Sequence, residues 1–175
     1  MESKNQGSKK IQRLCLAGTK AIKDMTDVEA QLLALLIDAE GCISAGISGE
    51  CDIVHPSLSV NMRTQIPVET AQKWGGALFK RWEKGKWTYR WAVAQRASLR
   101  VILLKIKPYL QLKQKQAELA LEMCDVADRK AQGWKEELKR LKAEINALNP
   151  PPSLDIDITK LKNVVVRYHL ATERR

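Results

Sequence analysis

No stretch of this 175-residue chain approaches the ~20 consecutive apolar residues of a membrane-spanning helix, and its first residues lack the hydrophobic core of a secretory signal. The expected compartment is the cytosol, or an organellar stroma or matrix if the protein is organelle-encoded, and not the secretory route. Four cysteines, Cys15, Cys42, Cys51 and Cys124, form no Cys-x-x-Cys pair and are expected to be reduced. A zinc site from Cys42, Cys51 and His55 would lack a fourth ligand at sensible spacing. Neither His55 nor His169 sits in a catalytic constellation, and there is no Ser-His-Asp set, nucleophilic cysteine or glycine-rich phosphate loop. Carboxylates are outnumbered: 20 Asp and Glu stand against 30 Lys and Arg, for a formal net charge of +10. A polyanion is the implied partner. Nucleic acid is the first candidate. An anionic membrane surface is disfavoured, because the cations fall on strand-like segments rather than along an amphipathic helix. The length suits one ordinary domain with a sizeable core.

What is present is organised around Leu33 to Gly41, Leu-Ala-Leu-Leu-Ile-Asp-Ala-Glu-Gly. Thr26 with Glu29 three residues on makes a capping box, Asp27 suits the first turn, and from Ala30 to Ile37 only Gln31 is polar. A helix apolar on both sides is sandwiched between two partners. One side should cover its own domain's core and the other should meet a second copy of the chain. Residues 1 to 10 read as a mobile arm, and Ile11 to Met25 as a short helix interrupted by Gly18. After the acidic tip, alternation predicts a strand over residues 42 to 48, a turn through Gly49, and a second strand with Leu58, Val60 and Met62 inward. Pro67 suits the first turn of a short helix ended by Gly75-Gly76. A third strand lies near Leu78 to Lys84, a tight turn at Gly85, and a fourth strand with Trp87, Tyr89, Trp91 and Val93 on one face. Ser98 is expected to cap the next helix, which Pro108 perturbs at its end. Further helices follow from Lys113 to Arg129 and after Gly133. The prolines at 150 to 152 make a stiff link, and the tail from Ser153 shows no clean period.

The stretch Leu33 to Gly41 resembles the signature of the LAGLIDADG homing endonucleases, with Asp38, Glu40 and Gly41 in the acidic, acidic and glycine places. Trp74-Gly75-Gly76 before a hairpin, and the run from Lys107-Pro108-Tyr109-Leu110 to Gln116-Ala117, resemble two further family segments. The likeness spans roughly residues 26 to 130. It implies an α+β fold, an α-β-β-α-β-β-α core with a four-stranded antiparallel sheet and extra C-terminal helices. The chain then divides into an arm with a short helix (1–24), the endonuclease-like domain (25–130) and a C-terminal helical extension and tail (131–175). The resemblance implies site-specific cleavage of double-stranded DNA. One motif copy per chain implies a homodimer, meeting through Ala34, Leu35, Asp38 and Ala39. Leu35 departs from the family's usual Gly or Ala and should push the paired helices apart or alter their crossing. The resemblance further makes Glu40 the metal-binding acid, helped by the Ala39 carbonyl, places Lys113 in the active site, and points to Gln65 as positioning water or metal, with Arg63 and Asn61 as alternatives. The implied cofactor is Mg2+, or another divalent cation such as Mn2+ or Ca2+. A scaffold of this kind that does not cleave would instead be an RNA maturase acting on an intron or a DNA-binding regulator.

The residues support a nucleic-acid surface independently. Residues 41 to 100 hold nine Lys or Arg against four acids. With helices on the apolar face of the sheet, the other face carries Ser44, Ser48, Ser57, Ser59, Asn61, Arg63, Lys86, Thr88 and Arg90. The phase of the third strand is open, with Arg81 favoured over Lys80 as the outward residue. Arg can read guanine and Asn adenine in the major groove. Asp38, near a helix C-terminus where an anion opposes the macrodipole, needs a local hydrogen-bond partner, which gives it a structural role.

Overall fold

The structure is a computed structural model that describes residues 24–48, 53–83 and 85–149; the expected N-terminal arm and helix, the Gly49 turn, the proline link and the tail lie outside them. Helix α1 (Asp27–Glu40) starts as its residues require. Thr26 Oγ1 accepts from the Glu29 amide, and Glu29 Oε2 accepts from Thr26 N at 2.9 Å, so both halves of the capping box are present. Strands β1 (Gly41–Ser48) and β2 (Ile53–Met62) follow, then α2 (Ile66–Gln72), β3 (Ala77–Glu83), β4 (Lys86–Val93), α3 (Arg96–Ile106), a 3-10 turn at Lys107–Tyr109, α4 (Gln114–Arg129) and α5 (Trp134–Leu148).

The four strands form one antiparallel sheet in the order β1-β2-β4-β3. Pairing fixes the phase that β3 had left open: Lys80 lies opposite Tyr89, with its ammonium 4.3 Å from the Trp87 ring, and Arg81 lies opposite Thr88. Arg81 therefore shares the outward face with Thr88 and Arg90. The inward face carries Ile43, Leu58, Val60, Trp91 and Val93, all at most 1% exposed, and packs on Leu99, Ile102 and Leu103 of α3 and Met123 of α4.

Two glycines are there for space. Gly41 turns the chain from α1 into β1 with its N–H donating to Ile37 O; a Cβ there would sit 2.7 Å from both Ile37 Cα and Ile37 O. At Gly76, φ is +83° and a Cβ would meet Ala92 O at 2.6 Å. The glycine pair lets the loop press onto Trp91, whose Nε1–H donates to Gly75 O at 2.7 Å.

Two boundaries differ from expectation. Ser98 does not cap α3: Gln95 is the N-cap and Ser98 lies a turn inside, its hydroxyl 2.8 Å from Gln95 Oε1. The helix after Gly133, assigned to an extension, buries Leu138, Leu141 and Ile145 to 1% or less in the same core. Asn149 at its end donates to Ile43 O, tying it to β1.

Candidate functional site

The tip of α1 is where three segments meet. Asp38 is 2% exposed, and its two carboxylate oxygens accept from the backbone N–H groups of Gln111 (2.6 Å) and Lys113 (3.0 Å). Lys113 is the N-cap of α4, so the carboxylate at the unfavourable end of α1 sits at the favourable end of α4. That resolves the dipole conflict and gives Asp38 the hydrogen-bond partners it required. In return the Lys113 ammonium donates to Asp38 O at 2.6 Å. Burial lowers the Lys113 pKa, while the charges of Asp38, Cys42 and Glu40 pull it back up. The side chain thus lies within electrostatic reach of Glu40, which is exposed at the helix end.

Of the sequence-predicted site residues, the structure gathers Glu40, Ala39 and Lys113 at this tip. Gln65 is engaged elsewhere: its side-chain amide donates to Glu69, one turn along α2. The β2 residue in register with the tip is Asn61, because Gly41 pairs with Val60. Cys42 also borders Lys113, a neighbour that sequence reasoning weighed only as a zinc ligand. Among the described residues no group of three or more His, Cys, Asp or Glu is placed to hold a metal ion. A single chain offers one exposed carboxylate and a backbone carbonyl.

The outward sheet face runs in cross-strand rows: Ser44 with Ser57, then Cys42 with Ser59 and Ala92, then Asn61 with Arg90, then Thr88 with Arg81, then Lys86. Ser44 and Ser57 hydroxyls lie 3.2 Å apart, and Ser59 is only 6% exposed between its small neighbours, which corrects its assignment as a freely reading side chain. Ser48 ends β1 opposite Ile53. Arg63 is exposed just past β2. The β1-β2 arm is neutral and the β3-β4 arm carries the cations. Three of the nine cations counted from sequence are engaged elsewhere, Lys73 with Glu29, Arg96 with Asp128, and Arg100 with Asp125 and Asp128.

The proposed meeting face of α1 needs correction. Ala34 is 0% and Asp38 2% exposed, both turned into their own chain. The stripe left open is Val28 and Leu32 (42% and 41% exposed), with Leu35, Leu36 and Ala39 half-buried. It borders a cleft of about 250 Å³ lined by Leu32, Leu36, Pro67, Ala71 and Trp74, with the Lys73–Glu29 ion pair (2.7 Å) at its edge. That pair and the capping box hold the Glu29 carboxyl down at about 2.

No family model and no curated protein matches the chain. Solved structures do. The homing endonuclease I-CvuI, described in complex with DNA, aligns at a TM-score of 0.60 and 26% identity over 81% of this chain and 94% of its own. A second complex of I-CvuI, with its target in the presence of calcium, gives 0.62 and 25% over 82% and 96%. The signature residues Leu33 to Gly41 form the end of α1 and its turn into β1. The chain has the fold of the LAGLIDADG homing endonucleases. The archaeal intron-encoded I-Vdi141I shares the fold at a TM-score of 0.61 and 16% identity over 82% of this chain and 98% of its own. By contrast, the LAGLIDADG meganuclease I-CpaMI is covered over only 49% of its length, at 0.52 and 17%. In size this chain therefore matches I-CvuI and I-Vdi141I nearly whole, in keeping with its single copy of the motif.

Proposed function

We propose that the protein is a homodimeric, site-specific DNA endonuclease of the homing type that needs a divalent cation. The observation that carries this is the convergence at the α1 tip: an exposed Glu40 within electrostatic reach of a half-buried Lys113 that Asp38 holds in place. The donor set fits a hard cation only as a half-site. Mg2+ takes oxygen ligands, one or two carboxylates plus substrate phosphates, and Glu40 with the Ala39 carbonyl supplies one protomer's share. The Glu40 of a second copy and the DNA would supply the rest. When bound, the ion would supply Lewis acidity and a more acidic water for phosphodiester hydrolysis.

The chain's own groups do the following. Lys113, desolvated yet held charged by its neighbours, stabilises negative charge at the phosphate. Asp38 orients Lys113 by fixing the start of α4. Asn61, Arg90, Thr88, Arg81 and Lys86 bind the duplex, with Arg63 beside them. The apolar stripe from Val28 to Ala39 brings the second copy, so that two tips face one DNA site.

Incubation with a randomised or genomic DNA library and magnesium, with breaks mapped by sequencing, tests the reading. Cuts at a defined sequence are expected, lost in Glu40→Gln while binding persists. Retained binding with uniform absence of cuts would overturn the nuclease assignment in favour of a non-cleaving binder. Sedimentation of the full chain is expected to show a dimer that Leu32→Glu disrupts.

A further inference from the structure

Four large apolar side chains on the described strands are exposed: Ile47, Phe79, Trp82 and Trp87. Pairing places three of them on the face that also carries the core. Ile47 lies opposite Val54, and Trp82 lies opposite Trp87, with their rings 5.0 Å apart. Phe79 is the exception. It is the chain's single phenylalanine, 53% exposed, and lies opposite Arg90 on the outward face. Its neighbours along β3 point the other way: Leu78 packs on the core, and Lys80 lies over Trp87.

The outward row is therefore Asn61, Arg90 and Phe79, one residue each from β2, β4 and β3. It is the row in register with the α1 tip. Major-groove edges offer three kinds of contact to such a row: the paired donor and acceptor of adenine, the two acceptors of guanine, and the C5-methyl of thymine. Asn and Arg suit the first two by hydrogen-bond geometry. A phenyl ring can use neither, and the methyl is the apolar group that the groove displays.

We propose that Phe79 reads a thymine methyl group in the major groove, beside the base pairs contacted by Arg90 and Asn61. The assignment rests on the DNA-binding reading above and adds the base chemistry that one side chain selects. Arg90 and Asn61 flank the ring on one side and limit where the methyl can sit, so the effect belongs to one thymine in each half-site.

The test uses the full-length protein and duplexes enriched from a randomised library without added divalent cation. Each thymine of the enriched duplex is replaced in turn by deoxyuridine, which lacks only the methyl. Wild-type protein is expected to bind about fourfold more weakly at one position per half-site, the effect of withdrawing one buried methyl-sized group, and nearly unchanged elsewhere. Phe79→Ala is expected to bind the thymine and deoxyuridine duplexes equally at that position. Wild-type indifference to deoxyuridine at every thymine would overturn the proposal, as would an undiminished preference in Phe79→Ala. Failure to enrich any sequence is a distinct outcome, which would overturn the DNA-binding reading itself and this assignment with it.

Discussion

Replacing Asp38 by alanine removes a single carboxylate and leaves two backbone N–H groups, those of Gln111 and Lys113, without their acceptor. The bonds measure 2.6 and 3.0 Å, and the residue is 2% exposed, so water has little access to replace them. A hydrogen bond to a charged acceptor is worth about 1.5–3 kcal/mol. The start of α4 also loses an anion worth about 0.3–1 kcal/mol. The two bonds share one carboxylate whose desolvation already costs stability, so the terms do not add in full; the net loss is about 3 kcal/mol, a large fraction of the ~5–15 kcal/mol of a typical domain. Urea unfolding followed by tryptophan fluorescence measures this, at one fixed protein concentration because dimerisation would shift the midpoint. Asp38→Asn keeps the shape and one acceptor oxygen and is expected to fall between. A midpoint for Asp38→Ala equivalent to less than about 1 kcal/mol of loss would refute the clamp.

Other perturbations follow from the same contacts. Trp91→Phe removes the Nε1–H donated to Gly75 O and should cost about 1–2 kcal/mol in the same unfolding assay, with no measurable change meaning that the glycine loop is held by packing alone. Glu29 has a folded pKa of about 2 against an ordinary 4.5, so its contribution is present above about 4.5 and disappears as pH falls toward 2. Both partners are substantially solvated, so that contribution is about 1 kcal/mol, and Glu29→Gln should lose about that much at neutral pH and little near pH 2, flattening the stability profile over the acid window. Lys113→Met should keep the fold and DNA binding while slowing cleavage by about 10²–10³, measured by single-turnover nicking on the enriched target. Binding should weaken steeply as salt rises from about 50 to 200 mM, and Arg81→Gln should flatten the slope by about one unit; an unchanged slope would remove Arg81 from the phosphate-contacting set.

Much of this architecture was legible because each element carries a local signature. Thr26 and Glu29 announce α1, the alternation of Trp87, Tyr89, Trp91 and Val93 gives the face of β4, and Gly75-Gly76 marks the loop beneath Trp91. Glu40 and Lys113 were singled out through family resemblance, and the structure places both at the α1 tip beside Asp38, whose need for a partner followed from the helix dipole alone. What sequence could not give is tertiary. Alternation along β3 is symmetric, so only pairing with β4 could put Phe79 and Arg81 outward. Which side of an apolar helix faces its own core depends on α3 and α4, and so Ala34 was misassigned to the open stripe. Gln65 was placed by spacing from the strand, but spacing is blind to Glu69 one helical turn away, which takes up its amide.

The two central strands overlap over only five residue pairs, Leu58 to Met62 with Val93 to Tyr89, whereas β1-β2 and β3-β4 continue as two-stranded ribbons in opposite directions. Two-stranded ribbons twist more freely than wide sheets. Ala45 and Val54 hold the β1-β2 wing in the core, but the β3-β4 wing, with Trp82 and Trp87 exposed, can swivel without disturbing the helical layer, which under the proposed function would let the α1 tip stay put while that wing follows the curvature of the duplex.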